Sequence, residues 1–198
     1  MNIKNNTILI ATKNKGKIKE FKNMFNKKNI NIKTLYDYDI PEIEETGLSF
    51  FENALIKAKA GYAISGLLTI ADDSGLEVDA LDKQPGIYSA RFGGESLDDK
   101  ARLLYLLNKM KDIENRTARF KTSIVLYNGD ENIESFEGVW EGVILKEPIG
   151  ENGFGYDPVF YDETLKLSAA QLSENQKRLV SHRGKAMALF FNKFREVL

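Results

Sequence analysis

Apolar positions along this chain recur at two spacings, and the switches between them outline a fold. Residues 7–11 form an apolar run bounded by Asn and Lys, the pattern of a buried first strand. Residues 15–28 follow as a helix with Ile18, Phe21 and Phe25 on one face. Residues 30–36 alternate like a half-buried strand. Residues 48–65 predict a second helix facing inward through Phe51, Ala54, Leu55, Ala58 and Tyr62, with Gly66 suited to its end. Residues 67–71 read as a short strand running into Asp72, Asp73, Ser74 and Gly75. Residues 97–111 predict a third helix. Residues 118–127 and 132–145 predict two long strands around the hairpin signal Asn128, Gly129 and Asp130. Residues 184–198 close the chain as a helix with Met187, Phe190, Phe194 and Val197 inward. Strands that alternate with helices and then give way to a hairpin predict an α/β fold with a mixed sheet. No repeat, low-complexity stretch or linker interrupts the 198 residues, so residues 1–198 are read as one domain.

Composition narrows the chemistry. The chain has no Cys and one His, so it has no disulfide, no thiol nucleophile and no multi-His metal site. Any metal must sit on oxygen ligands, which favours Mg, Mn or Ca. The balance of 28 Lys+Arg against 29 Asp+Glu argues against a protein that coats nucleic acid. No apolar run approaches the roughly 18 residues that span a bilayer, and the first run is too short for a signal-peptide core. A cytoplasmic protein with no membrane or nucleic-acid partner is expected.

Four local patterns carry candidate chemistry. Thr12, Lys13, Asn14, Lys15, Gly16 and Lys17 join the first strand to the first helix. A helix N-terminus with three lysines suits phosphate, and a plain helix cap with solvated lysines fits equally. The loop is not a Walker A motif, because Ile18 follows Lys17. Glu42, Glu44 and Glu45 precede the second helix, and Asp72 and Asp73 end the third strand at the sheet's rim. Such carboxylates can hold a hard cation and orient a water. Strand alternation sends Asp72 and Asp73 to opposite sides. Thr46 can instead cap the second helix, with Glu44 and Glu45 complementing its dipole. Residues 150–158 pack three glycines into a turn in which Phe154 and Tyr156 can stack on a planar base and Asp157 can accept from ring N–H groups; a surface loop is the alternative. Ser181, His182, Arg183 and Gly184 lead into the last helix, five residues after Lys177, and suit a polar ligand. No Gly-x-Ser-x-Gly elbow supports a serine hydrolase.

The order of these blocks resembles the inosine triphosphatase family, also called the Ham1-like or dITP/XTP pyrophosphatases. The matching blocks are Thr12 to Lys17, Glu44 to Gly47 with Glu52, Asn53, Ala54 and Lys57, Ile70 to Leu76, Pro85 to Arg91, Gly153 to Pro158, and Ser181 to Gly184. The resemblance implies an elongated α/β fold with a long central mixed sheet and flanking helices, α/β/α in layering, with two lobes around a cleft. It implies homodimers and Mg²⁺-dependent hydrolysis of non-standard purine nucleoside triphosphates (ITP, dITP, XTP) to monophosphate and pyrophosphate. By the same resemblance, Asp73 is the general base and a metal ligand, joined by Glu42 or Glu45. Thr12, Lys13, Asn14, Lys15, Gly16 and Lys17 would hold phosphates. Ser74, Phe154, Gly155, Tyr156, Asp157, Lys177, His182 and Arg183 would line the nucleotide pocket.

The elementary chemistry agrees. Asp73 would take a proton from water attacking the α-phosphorus. A donor such as His182, Arg183 or a backbone N–H of the glycine turn would donate to a purine 6-keto oxygen and leave adenine mismatched. A Maf-like pyrophosphatase and a non-catalytic nucleotide-binding module are the rivals, separated by pyrophosphate release across a nucleotide panel.

Overall fold

In a computed structural model of the chain, residues 6–26, 28–38, 43–129 and 133–195 are described. One seven-stranded sheet runs in the order β2-β1-β3-β4-β5-β6-β7. Its strands are β1 (Thr7–Ile10), β2 (Asn31–Thr34), β3 (Leu68–Val78), β4 (Thr117–Tyr127), β5 (Glu134–Ile144), β6 (Phe160–Asp162) and β7 (Leu167–Ser168). The helices are α1 (Lys15–Phe25), α2 (Phe50–Ser65), α3 (Asp99–Lys109), α4 (Glu174–Val180) and α5 (His182–Lys193). β1 pairs parallel with β2 and β3, whereas β5–β6 and β6–β7 are antiparallel, so the sheet is mixed as expected.

The chain divides into two compact units. The first comprises Met1–Asp73, Thr122–Gly138 and Arg183–Leu198. Here β1 is buried on both faces, which explains its unbroken apolar run. Ile8 and Ile10 pack with Phe21 and Phe25 of α1, Ile70, Ile124, Phe136, and Met187 and Phe190 of α5. Leu9 and Ala11 point the other way, onto Ala54 and Ala58 of α2, Ala71 and Val125. Gly61 lets α2 lie close to the sheet, since a Cβ there would stand 2.9 Å from the side chains of Leu9 and Thr69.

The second unit comprises Ser74–Lys121 and Val139–His182. Its core gathers Leu76, Val78, Leu103, Leu106, Met110, Phe120, Trp140 and Phe160. Buried Trp140 donates its indole N–H to Asp162 Oδ2 at 2.7 Å. Arg116 ties the end of α3 to the end of β5 by donating to the carbonyls of Met110, Ile113, Ile144 and Leu145.

Several expectations are corrected. β3 does not stop at Ala71; it continues for seven more residues to Val78, so Asp72 and Asp73 lie inside a strand and not at its end. Leu76 and Val78 extend it because their side chains are themselves part of the buried core of residues around Leu103 and Trp140. α2 is capped by Ser49, whose Oγ accepts from Glu52 N–H at 3.1 Å, and not by Thr46. Gly66 ends α2 in the left-handed conformation, as its position predicts. β2 ends at Thr34, where the Asp37 carboxylate accepts the Thr34 N–H and starts a 3-10 turn at Leu35–Asp37. α5 begins at His182, two residues early, and Val197 and Asp130 lie outside the described residues. β6, β7 and α4 have no counterpart in the sequence reading. The last is held by a capping box between Ser173 and Gln176.

Candidate active site

β3 carries two adjacent carboxylates through the middle of the sheet, and alternation sends them to opposite faces. On one face, Asp72 Oδ2 accepts from Arg183 Nε at 3.1 Å and Arg183 Nη2 at 2.8 Å, with Lys17 Nζ at 3.2 Å. A further Arg183 nitrogen bonds Glu20. Burial by itself would raise the Asp72 carboxyl, but Arg183, Lys17 and Lys57 overcome it and hold the group well below the usual carboxylate range. Lys17, desolvated by the same burial, is lowered despite Asp72 beside it.

On the other face, Asp73 Oδ1 accepts from Lys57 Nζ at 3.1 Å, and Oδ2 accepts from Asn53 Nδ2 at 3.3 Å. Lys57 also donates to Glu45 Oε1 at 2.5 Å. The hydroxyl of Thr122 on β4 fixes the strand here by donating to the Asp73 carbonyl at 3.1 Å. Burial raises the Asp73 carboxyl, helped by the nearby charge of Glu45 and opposed by Lys57 and Lys17. Lys57 itself would be lowered by burial, yet Asp73 and Glu45 more than restore it. Two carboxylates thus share one cation, the arrangement that leaves one of them prone to take a proton.

The oxygen donors at this face are of the type a hard divalent ion takes, and two of them stand together. Asp73 and Glu45 present carboxylate oxygens that converge on a single positive charge, the Lys57 ammonium, at 3.1 and 2.5 Å. Among the described residues no three acidic or imidazole groups cluster. Glu42, the other expected ligand, lies outside the described residues.

The first loop builds a helix N-terminus. Asn14 caps α1 by accepting the Lys17 N–H at 3.0 Å, and its own N–H bonds Thr12 Oγ1 at 3.1 Å. Thr12 is buried while Lys13 and Lys15 are exposed around half-buried Gly16. Tyr36 Oη donates to the Lys13 carbonyl at 2.8 Å and steadies the turn. Of the three lysines, Lys17 turns inward to Asp72.

In the second unit, Asp157 Oδ2 accepts from Phe154 N–H at 2.8 Å and Lys177 Nζ at 2.5 Å. Lys177 Nζ also stands 4.8 Å from the centre of the Phe154 ring. Gly153 has φ +79°, and a Cβ there would fall 1.9 Å from Asp157 Oδ2, so only glycine fits. Gly155 N–H donates to Asp99 Oδ2 at 3.1 Å. His182 is buried and stacks on Phe120 at 4.9 Å. Ser74 is half-buried on β3.

The expected residues therefore sort by environment. Asp73 and Glu45 are brought together, and Phe154, Asp157 and Lys177 form a second group. Two assignments change. Tyr156 is a core residue whose hydroxyl donates to the Ser89 carbonyl at 2.9 Å, so its ring is not offered for stacking. Arg183 is 1% exposed and engaged by Asp72 and Glu20, so its guanidinium holds β3 to α1. Asn53, Lys57, Glu20 and Thr122 carry roles that the sequence reading did not assign. For Asn53 and Lys57 the available signal is their four-residue spacing, which puts both on one side of α2.

The model of the Ham1 family matches residues 8–193. The chain is 44% identical over 185 residues to a dITP/XTP pyrophosphatase of Bacillus anthracis, covering 91% of this chain and 92% of that one. Its fold is similar to that of the Ham1 protein of Staphylococcus aureus, with TM-score 0.84 and 41% identity over 96% of this chain and 98% of that one. A HAM1 protein from Coxiella burnetii gives TM-score 0.87 and 37% identity over 96% and 99%. A family match across nearly the whole length, joined to the same mixed-sheet fold, decides the assignment: the chain belongs to the Ham1 family.

Proposed function

We propose that this chain hydrolyses non-standard purine nucleoside triphosphates (ITP, dITP and XTP) to the monophosphate and pyrophosphate. The observation that carries this reading is the Asp73 cluster: a buried, raised carboxyl held by Lys57 and Asn53 beside Glu45. It stands in a chain 44% identical to a dITP/XTP pyrophosphatase.

A carboxylate tuned upward is a better general base near neutral pH than a free aspartate. Asp73 would take the proton from a water attacking the α-phosphorus, with its Oδ1 and Oδ2 oriented by Lys57 and Asn53. Lys13, Lys15, Gly16 and the α1 N-terminus would meet the phosphates, with Asn14 and Thr12 holding the loop in shape. Phe154 and Lys177 would meet the base, while Asp157 fixes both. Gly155, His182 and Ser74 complete the proposed nucleotide contacts. Asp73 with Glu45 or Glu42 would hold Mg²⁺, which when bound offsets phosphate charge and polarises the P–O bonds. We also propose a cytoplasmic homodimer, on the family resemblance.

The test is a panel of ITP, dITP, XTP, GTP, ATP and dUTP with and without Mg²⁺, read as pyrophosphate released. ITP, dITP and XTP should be cleaved well ahead of ATP and GTP, and only with the metal. Equal rates on ATP and ITP would remove the proposed selectivity.

A further inference from the structure

α2 presents an unusual side to the sheet. Asn53 and Lys57 are both buried, one helical turn apart, beside Ala54, Ala58 and Gly61. Lys57 is accounted for by its two carboxylates. Asn53 is fully buried and bonded at both ends of its amide. Its Nδ2 donates to Asp73 Oδ2 at 3.3 Å, and its Oδ1 accepts the Gly47 N–H at 2.8 Å. Gly47 closes the segment that bears Glu45, which Lys57 grips at 2.5 Å.

We infer that Asn53 is a positioning residue for the proposed hydrolysis, its amide holding the Asp73 carboxylate at one end and the Glu45-bearing segment at the other. The inference rests on the reading of Asp73 as the general base. Its logic is donor and acceptor arithmetic. A carboxylate offers only acceptors, and a backbone N–H offers only a donor. A side chain between them must donate one way and accept the other, at fixed separation. Asn does both. Asp can only accept and would set a second negative charge against Asp73. Leu would leave both polar groups buried without partners. With Lys57 on Oδ1 and Asn53 on Oδ2, rotation of the Asp73 carboxylate is blocked from both sides. Displacements of about 1 Å at a reacting group can lower a rate on the order of 100-fold.

The experiment begins with the wild-type chain and Asp73→Asn on ITP with Mg²⁺. If the wild type releases no pyrophosphate, or Asp73→Asn releases it at the wild-type rate, the reading of Asp73 falls and this inference falls with it. If that reading stands, three further variants test Asn53. Asn53→Asp keeps the acceptor for Gly47 and loses the donor to Asp73. Asn53→Ala loses both. Gly47→Ala leaves Asn53 in place but puts a Cβ 2.8 Å from its Oδ1 and 2.6 Å from Glu52 Cβ, pushing the segment away. Each should lower kcat on the order of 10- to 100-fold with KM changed by less than roughly threefold. In the Asp73→Asn background, Asn53→Ala should lower the residual rate no further, because it acts through Asp73. Thermal melts run beside the assays keep every rate on folded protein, and Gly47→Ala carries the test where an Asn53 variant fails to fold. Wild-type kcat in the folded variants would overturn the inference. So would an Asn53→Ala loss of equal factor with Asp or Asn at position 73, since a merely structural role predicts that additivity.

Discussion

Asp72 and Asp73 are neighbours on one strand, equally deep, and opposite in character. The Asp72 face meets two cations, Arg183 and Lys17, with Glu20 sharing the guanidinium. Positive charge there exceeds what burial takes away, and the carboxyl stays ionised far into acid. The Asp73 face meets Lys57, which Glu45 also claims. Burial prevails, and the carboxyl is raised. Residue type and depth are held nearly constant across the pair, so the Arg183 guanidinium bonded to Asp72 and the Glu45 carboxylate beside Asp73 set the difference. The first arrangement builds a joint between β3, α1 and α5; the second leaves a carboxyl able to accept a proton.

The largest effect that would break this comparison is on activity. Asp73→Asn should cut pyrophosphate release from ITP by about 10²- to 10⁴-fold, the range for a lost general base. Its midpoint in urea should stay close to wild type, because the lost carboxyl was the less comfortably buried of the two. Wild-type turnover would remove Asp73 from the role.

Next comes stability on the opposite face. Arg183→Met leaves Asp72 buried with Lys17 alone and leaves Glu20 without its guanidinium. Removing one partner of a buried pair costs about 3–5 kcal/mol. Urea unfolding should show that loss. Folded Arg183→Met should still hydrolyse ITP within about tenfold of wild type, a far smaller loss than the one expected for Asp73→Asn.

The two faces should also answer to pH in opposite senses. A depressed folded pKa gives stability that is present above the unfolded value, about 3.9, and lost as pH falls through the folded value. Asp72→Asn should therefore be less stable than wild type at neutral pH, with the gap closing only in strong acid. A raised folded pKa gives stability that is present below about 3.9 and lost as pH rises through the folded value. Relative to wild type, Asp73→Asn should therefore gain stability as pH rises from 4 toward neutrality. Urea midpoints of the two variants from strong acid to neutrality measure both slopes, Asp72→Asn below about pH 4 and Asp73→Asn above it, and parallel curves would refute the assignment.

How much of this was legible in the sequence depends on how far apart the partners lie. Apolar periodicity found α1, α2, α3, β1, β4 and β5 to within a few residues, because each buries a continuous face. It ends β3 at Ala71, since charged residues rarely occupy the middle of a strand. What makes them tolerable there is an arginine 111 residues downstream and a lysine on α1. Asn53 and Lys57 enter the sequence reading only as part of a matching block, with no role, for a related reason. A helical wheel assigns them to solvent, and only the tertiary position of Asp73 turns their side of α2 inward. The resemblance names Phe154, Asp157 and Lys177 as nucleotide contacts, and the structure brings these three side chains together; the burial of Tyr156 has no local signal, because an aromatic in a glycine turn gives no sign of being core.

The smallest effect separates the two uses open to Lys17. Its ammonium lies 3.2 Å from Asp72 and is desolvated, whereas Lys13 and Lys15 reach solvent. If Lys17 serves Asp72, then Lys17→Met should cost about 1–2 kcal/mol, less than Arg183→Met because the two guanidinium hydrogen bonds to Asp72 remain. KM for ITP should then rise less than in Lys13→Met or Lys15→Met, whose exposed side chains flank the α1 N-terminus. The reverse pattern, with stability unchanged and KM raised most in Lys17→Met, would mean that Lys17 leaves Asp72 when nucleotide binds. Arg183 would then be the permanent partner of Asp72 on that face, and the contrast between the two aspartates would narrow.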